Sequence, residues 1–258
     1  LRVLHPEASP KLIMPFSIKR DAIASMSVQE LVVIPFDAEF SQRTAEDFCS
    51  SILIEGLTAE HVAVGENFRF GARAVGTPEM LAGRSEFETS TVPLVELDGE
   101  TVTSSRIRAL IAAGEVEQSA LLLDAPFTLE GKVVSGDQRG RELGFPTANL
   151  IPDDALVAPG HGVYAALADG APAAVNVGVR PTFDTGRGLL VEAYLLDFEG
   201  DLYGQTLRIE FVSRLRGERR FDTAEELVEQ MHLDVEEARK RCASFSNPPL
   251  ADAKRATT

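Results

Sequence analysis

The sequence predicts two domains: an α/β domain with a Rossmann-like parallel sheet, then a small antiparallel β-barrel with a closing helix. Three observations predict this. Up to residue 123, short β-branched runs alternate with helix-like segments, the pattern of an open parallel sheet. After Ala125 the strand-like runs follow one another directly, separated by Gly, Pro and Asp turns, as in a small barrel. The chain then enters one long amphipathic stretch at 222–245.

In the first half, ELVVIPF (30–36) reads as a buried strand, short and β-branched. TAEDFCSSILIEG (44–56) reads as a helix with Thr44 as N-cap and Gly56 as terminator. EHVAVG (60–65) is a second strand, and GTPEMLAG (76–83) a short helix with Pro78 near its start. TSTVPLVEL (89–97) is a third strand. SSRIRALIAAGEVEQSALLL (104–123) gives a helix, a break at Gly114 and a second helix. In the second half, FTLEGKVVSG, GVYAALA, AAVNVG, LLVEAYLLDF and QTLRIEFVSRL are the strands. The closing helix starts in a capping box of Thr223 and Glu226 and carries an apolar stripe of Leu227, Met231, Val235 and Ala238. The predicted domains are 1–123 and 124–245, with a disordered tail at 246–258.

The 258 residues, 44% hydrophobic, suffice for two ordinary cores. A net charge of −15 argues against long basic surfaces for nucleic acid or anionic membrane, yet leaves room for a small anion in a local basic pocket. Cys49 and Cys242 lie far apart without metal-ligand spacing, which suits a reduced, cytoplasmic protein. No apolar run reaches membrane-spanning length and no signal peptide opens the chain, which begins in a loop-like stretch without an initiator Met.

The densest chemistry lies in GKVVSGDQRGRELGFPTANL (131–150). Gly136, Gly140 and Gly144 allow backbone N–H groups to turn toward an anion, and Arg139 and Arg141 add charge. Pro146 stiffens the exit, so Thr147 and Asn149 face one way if the segment is extended. A hydroxyl and an amide there can hold Mg²⁺ or phosphate; the other reading is a hairpin whose glycines only make turns. The Walker pattern is absent. In LLVEAYLL, Glu192 is the one charge in an apolar run, and period two puts it on a face with Tyr194 and Leu196. It faces either outward to solvent on a barrel exterior or inward for chemistry. Seen alone, VTSSRIR reads as an ordinary N-cap serine, Ser104 or Ser105, followed by a solvent arginine, Arg108.

GRELGFPTANL (140–150) closely resembles the riboflavin kinase motif. AAVNVGVRPTFD (173–184), LLVEAYLLDFEGDLYG (189–204) and RLRGERRFDTAEELVEQM (214–231) extend the resemblance over the whole second half. It implies Mg-ATP held by Gly136, Arg139, Gly140, Gly144, Pro146, Thr147 and Asn149, with Thr147 and Asn149 on the metal. It makes Glu192 the base for the riboflavin 5′-hydroxyl, and Phe183, Arg216 and Phe221 the lining of the flavin pocket. Phe221 could instead anchor the helix start.

The first half resembles the FMN adenylyltransferase module of bacterial bifunctional FAD synthetases, through LVVIPFDAEF (31–40), HVAVGENFRFG (61–71) and VTSSRIRALIAAGEVEQSALLL (102–123). This implies a nucleotidylyltransferase-like sheet, with Asn67, Phe68, Ser104, Ser105 and Arg108 at the ATP and FMN site; Phe68 and Phe70 could also only pack. The module's first strand and its G-x-F-D-G-x-H-x-G-H loop should precede HPEASP, and none of His5, His61, His161 or His232 has that context. An incomplete sequence and an inactive half are both open at this point. The implied activities are riboflavin to FMN and FMN to FAD, with ATP and Mg²⁺ in each. Riboflavin kinase alone and a non-catalytic flavin-binding module are the alternatives. The expected partners are small molecules, neither nucleic acid nor membrane, with weak homo-oligomerisation left open.

Overall fold

The computed structural model describes residues 9–135, 143–180 and 188–245. The chain divides into two compact units that interleave in sequence: residues 1–10 with 32–102, and residues 11–31 with 103–258.

Helix α1 (Phe16–Ser25), which the sequence reading did not anticipate, belongs to the second unit and buries no side chain. Its Ser17 hydroxyl donates to Glu130 at 3.1 Å, and Asp21 lies 3.8 Å from Arg208. Just before it, Leu12 bridges in parallel to Leu156, donating to the Ala155 carbonyl and accepting from Val157, both at 2.8 Å.

In the first unit, Thr44 caps helix α2 (Ala45–Asp47) by accepting from the Asp47 N–H at 3.0 Å, and the helix continues as a wider π-helical segment, Phe48–Gly56. Strand β1 (His61–Gly65) pairs in parallel with β2 (Glu88–Val92). Between them, α3 (Pro78–Ala82) starts with Pro78 after a Thr77 cap. Ala45, Cys49, Phe70, Leu81 and Phe87 form the core of this unit.

Two expectations need correction here. The predicted third strand splits: β2 stops at Val92, immediately before Pro93, which has no N–H for a ladder, and Glu96–Leu97 (β3) pairs instead with Glu100–Thr101 (β4) as a hairpin. The run at 30–36 is not a strand and is not buried. Val32, Val33, Ile34 and Phe36 are all exposed, and among the described residues the parallel sheet holds only β1 and β2. A β-branched run becomes a strand only where another strand accepts its hydrogen bonds.

From Ser104 the second unit resumes with α4 (Ser104–Ala113) and α5 (Val116–Leu123), separated by Gly114 in the left-handed conformation (φ 83°). A Cβ at Gly114 would lie 2.6 Å from the Tyr164 hydroxyl and 3.1 Å from Arg214. That crowding marks where the helix pair docks on the barrel. Arg214 donates to the carbonyls of Ala113 (3.3 Å) and His161 (2.7 Å), and its N–H donates to Glu117 at 3.1 Å.

The barrel has six strands: β5 (Phe127–Val134), β6 (Ala148–Pro152), β7 (Gly162–Ala168), β8 (Ala171–Arg180), β9 (Gly188–Leu195) and β10 (Thr206–Arg216). They close in the order β10-β5-β6-β9-β8-β7, every neighbour antiparallel. Five of these were read from the sequence as strands; the sixth, β6, is the continuation of the Thr-Ala-Asn segment. Alternate residues point inward, so Phe127, Leu129, Leu150, Tyr164, Val175, Ile209 and Phe211 are fully buried.

Helix α6 (Ala224–Ser244) closes the unit. Thr223 accepts from the Glu226 N–H, and Glu226 reaches back to the Asp222 N–H, both at 3.2 Å. The box therefore extends one residue further back than the standard motif. The helix packs on the outer face of the barrel, where Ala238 and Cys242 meet Ala165 and Ala174, with Leu167, Val212, Leu215 and Val235 around them.

Candidate active site

The site is built on strand register. On β9, Val191, Ala193 and Leu195 are buried in the barrel, so Leu190, Glu192 and Tyr194 leave the opposite face. That face is the outside of the barrel, but it is not open solvent. All three side chains line a cavity of about 790 Å³ whose far wall is helix α6, through Leu227, Met231 and Val235. Of the two placements weighed for Glu192, outward to solvent or inward for chemistry, the inward one is not found: Glu192 is an outward residue under a roof. Leu196 does not share this face, because β9 ends at Leu195.

Register then surrounds Glu192 with amides. Asn149 on β6 and Asn176 on β8 are both its direct partners, one on each side. The Asn176 Nδ2 donates to Glu192 Oε2 at 3.3 Å. Asn176 was overlooked in the sequence, although its strand was read correctly. The available signal was an asparagine in the middle of an apolar β-strand, a place where Asn is depleted.

Thr147 and Asn149 lie in a wall shared by two cavities. They line the larger one, and also a second of about 640 Å³ with Pro146, Phe198 and Tyr203. Asn149 on β6 and Thr147 just before it line the same two cavities. Asn149 is only 8% exposed, and its Nδ2 lies 3.5 Å from the Thr147 carbonyl, which turns Oδ1 the other way. Gly144 takes a left-handed conformation (φ 89°) just before Phe145. Phe145 is buried against Tyr194 and His232, with ring centroids at 5.3 and 5.0 Å. Gly136, Arg139 and Gly140, with the rest of the glycine-rich loop, lie outside the described residues, as do Phe183 and the 246–258 tail.

Arg216 and Phe221 both line the larger cavity. Arg216 is held by Asp234 through Nε and Nη2 at 2.7–3.0 Å, and Gln230 donates to the same carboxylate at 2.9 Å. The pair is charge-balanced and fixed in orientation. The guanidinium groups of Arg216 and Arg219 lie 5.8 and 5.4 Å from the Phe221 ring centroid. Phe221 is thus an aromatic surface backed by cations, two residues before the helix cap.

The adenylyltransferase candidates fall in different units. Asn67 is exposed just beyond the C-terminal end of β1, the end at which parallel sheets bind ligands. Phe68 stacks on Phe70 at 5.5 Å and packs against the core of its unit. In the second unit, the N-cap of α4 is Thr103, which accepts from the Arg106 N–H at 3.2 Å. Ser104 and Ser105 are therefore not the cap, and both are exposed in the first turn. Arg108 donates through Nε to the Lys11 carbonyl at 2.6 Å.

Residues 123–242 match the riboflavin kinase (flavokinase) family and residues 1–106 the FAD synthetase family. The bifunctional riboflavin kinase/FMN adenylyltransferase of Bacillus subtilis (strain 168) is 34% identical over 247 residues, 92% of this chain and 77% of that protein. Its counterpart in Escherichia coli (strain K12) is 33% identical over 250 residues, 93% and 79% of the two chains. The crystal structure of a macrolide-efflux protein from Streptococcus pneumoniae is similar with a TM-score of 0.81 and 31% identity, over 93% of this chain and 80% of that one. Among the described residues no helix is long and apolar enough to cross a membrane. With both family matches in order along one chain and relatives aligned over nearly all of it, this chain belongs to the bifunctional riboflavin kinase/FMN adenylyltransferase family.

Proposed function

We propose that the barrel phosphorylates riboflavin to FMN and that the FAD synthetase region adenylylates FMN to FAD, each step consuming ATP. The observation that supports the kinase reading best is Glu192, a carboxylate set between two amides beside the wall that two cavities share.

The larger cavity suits a flavin. It offers the Phe221 ring, an Arg216 fixed by Asp234, and apolar side chains from α6. The second cavity, with exposed aromatic rings at Phe198 and Tyr203, suits the nucleotide. The two ligands would then meet at Thr147 and Asn149. There Glu192 accepts the proton of the riboflavin 5′-hydroxyl as its oxygen bonds to the γ-phosphorus and the bond to ADP breaks. Such base assistance contributes about 10²–10⁴-fold, the rest being positioning and charge neutralisation.

Thr147 and Asn149 fit magnesium in chemistry. They supply two neutral oxygens beside the shared wall, and among the described residues no group of three His, Cys, Asp or Glu competes for a cation. Magnesium usually takes few protein ligands and fills its shell with phosphate oxygens and water. When bound, it would neutralise charge on the phosphates. For the adenylyl step, the exposed first turn of α4 with Ser104 and Ser105 suits phosphate oxygens, with Arg108 one turn on; within the first unit, Asn67 is a candidate nucleotide contact. Substrates of this kind suit a cytoplasmic enzyme.

Incubation with riboflavin and Mg-ATP, followed by chromatography of the flavins over time, tests both assignments. FMN followed by FAD is expected; FMN alone would remove the adenylyl assignment and leave the kinase. Glu192→Gln should slow FMN formation by about 10²–10⁴-fold while riboflavin binding persists. Unchanged FMN formation in that variant would sink the assignment of the base.

A further inference from the structure

We infer that Asn176 is a positioning residue for phosphoryl transfer, holding one oxygen of the Glu192 carboxylate so that the other is presented to the substrate hydroxyl. The inference rests on the reading of Glu192 as the base. Asn176 and Glu192 are register partners on adjacent strands, so both side chains leave the sheet on one face. Asn176 Nδ2 donates to Glu192 Oε2 at 3.3 Å, and both side chains line the larger cavity.

Asn176 is the single polar residue in the stretch from Ala171 to Val179. An asparagine there gives up strand propensity and partial hydration, and its recorded side-chain partner is the carboxylate. A glutamate has several free torsions, and an unheld carboxylate would spend much of its time away from the attacking oxygen. One donated hydrogen bond removes that freedom before substrate arrives. An amide does this without a charge, whereas a lysine or arginine at the same register position would form an ion pair and blunt the basicity of Glu192. Asn149, the partner on the other side, belongs to the shared wall, which leaves Asn176 as the donor on the flavin side.

The test is a double-mutant cycle on FMN formation, with kcat and the riboflavin KM measured for the full chain in Mg-ATP. Asn176→Leu should lower kcat roughly ten-fold and move KM by less than about two-fold. Asn176→Ser, whose hydroxyl can also donate, should recover part of that loss. In a Glu192→Gln background the same Asn176→Leu change should alter kcat by less than about two-fold, because the group it positions is no longer a base. A ten-fold loss that persists in that background would overturn the inference. So would an unchanged kcat in Asn176→Leu, or a loss carried wholly by KM. Wild-type kcat in Glu192→Gln alone would instead remove the base assignment, in a separate arm. If Asn176→Leu fails to quench riboflavin fluorescence on binding, the smaller Asn176→Ala carries the comparison.

Discussion

In the second unit, Val175 is 0% exposed, on a strand with a neighbour on each side; in the first, Val33 is 61% exposed on another β-branched run, with no strand beside it among the described residues. Both sit among β-branched residues and both read as strand. The barrel strand has its N–H and C=O groups taken up by β7 and β9, and its inward side chains meet the opposite wall. Among the described residues, the 31–36 run has the propensity without the pairing. Pairing, more than local preference, decides which apolar runs enter a core.

That contrast can be broken from either side. The largest effect is expected in the second unit from Asp234→Ala. Asp234 is 7% exposed and its partner Arg216 keeps only 22% of its side-chain surface, so the change strands a largely buried guanidinium. A loss of about 3 kcal/mol in urea unfolding is expected, the low end for breaking a buried pair; a change under 1 kcal/mol would mean that water replaces Asp234. Next comes Gly114→Ala, which forces a side chain into left-handed backbone and toward the Tyr164 hydroxyl at 2.6 Å. About 1–3 kcal/mol should be lost, with Tm falling accordingly.

Val33→Asp, in the exposed run, should change stability by no more than about 0.5 kcal/mol. A loss beyond about 1 kcal/mol would show that the run is packed in solution and that the two regions differ less than described. The smallest effect is electrostatic. Hydrogen bonds from the Arg239 guanidinium hold the Asp197 carboxyl below the ordinary aspartate range. A depressed folded-state value gives stability that is present above the unfolded value and is lost as pH falls through the folded one. Asp197→Asn should therefore be slightly less stable than wild type at neutral pH and converge with it below about pH 4. A difference that grew toward acid pH would contradict this sign.

The legible parts of the fold share one property: their pattern depends on neighbours close in sequence. The five barrel strands, the Thr223 cap, the α6 stripe and the Gly114 break all follow from local period or local backbone need. The outward face shared by Glu192 and Tyr194 was legible from period two, but the roof over it was not, since α6 lies some thirty residues on. Asn176 was missed because its meaning depends on register across two strands. Helix α1 was missed because it lacks a buried stripe and is tied to the barrel by polar contacts. The split at Pro93 was visible in the sequence and was passed over in favour of the longer apolar run. The capping alternative for Ser104 and Ser105 falls to Thr103, the residue before them, which fills that place.

The interleaving of the two units bears on any attempt to dissect the protein. A fragment that starts at the family match, near residue 123, keeps all six barrel strands. It discards α4 and nearly all of α5, and it also discards residues 11–31, which supply Leu12 to Leu156, Ser17 to Glu130 and Asp21 to Arg208. Scissors applied at that point would cut a garment through its lining, and a kinase fragment that keeps these early residues as a separate peptide should reassemble where the shorter one frays.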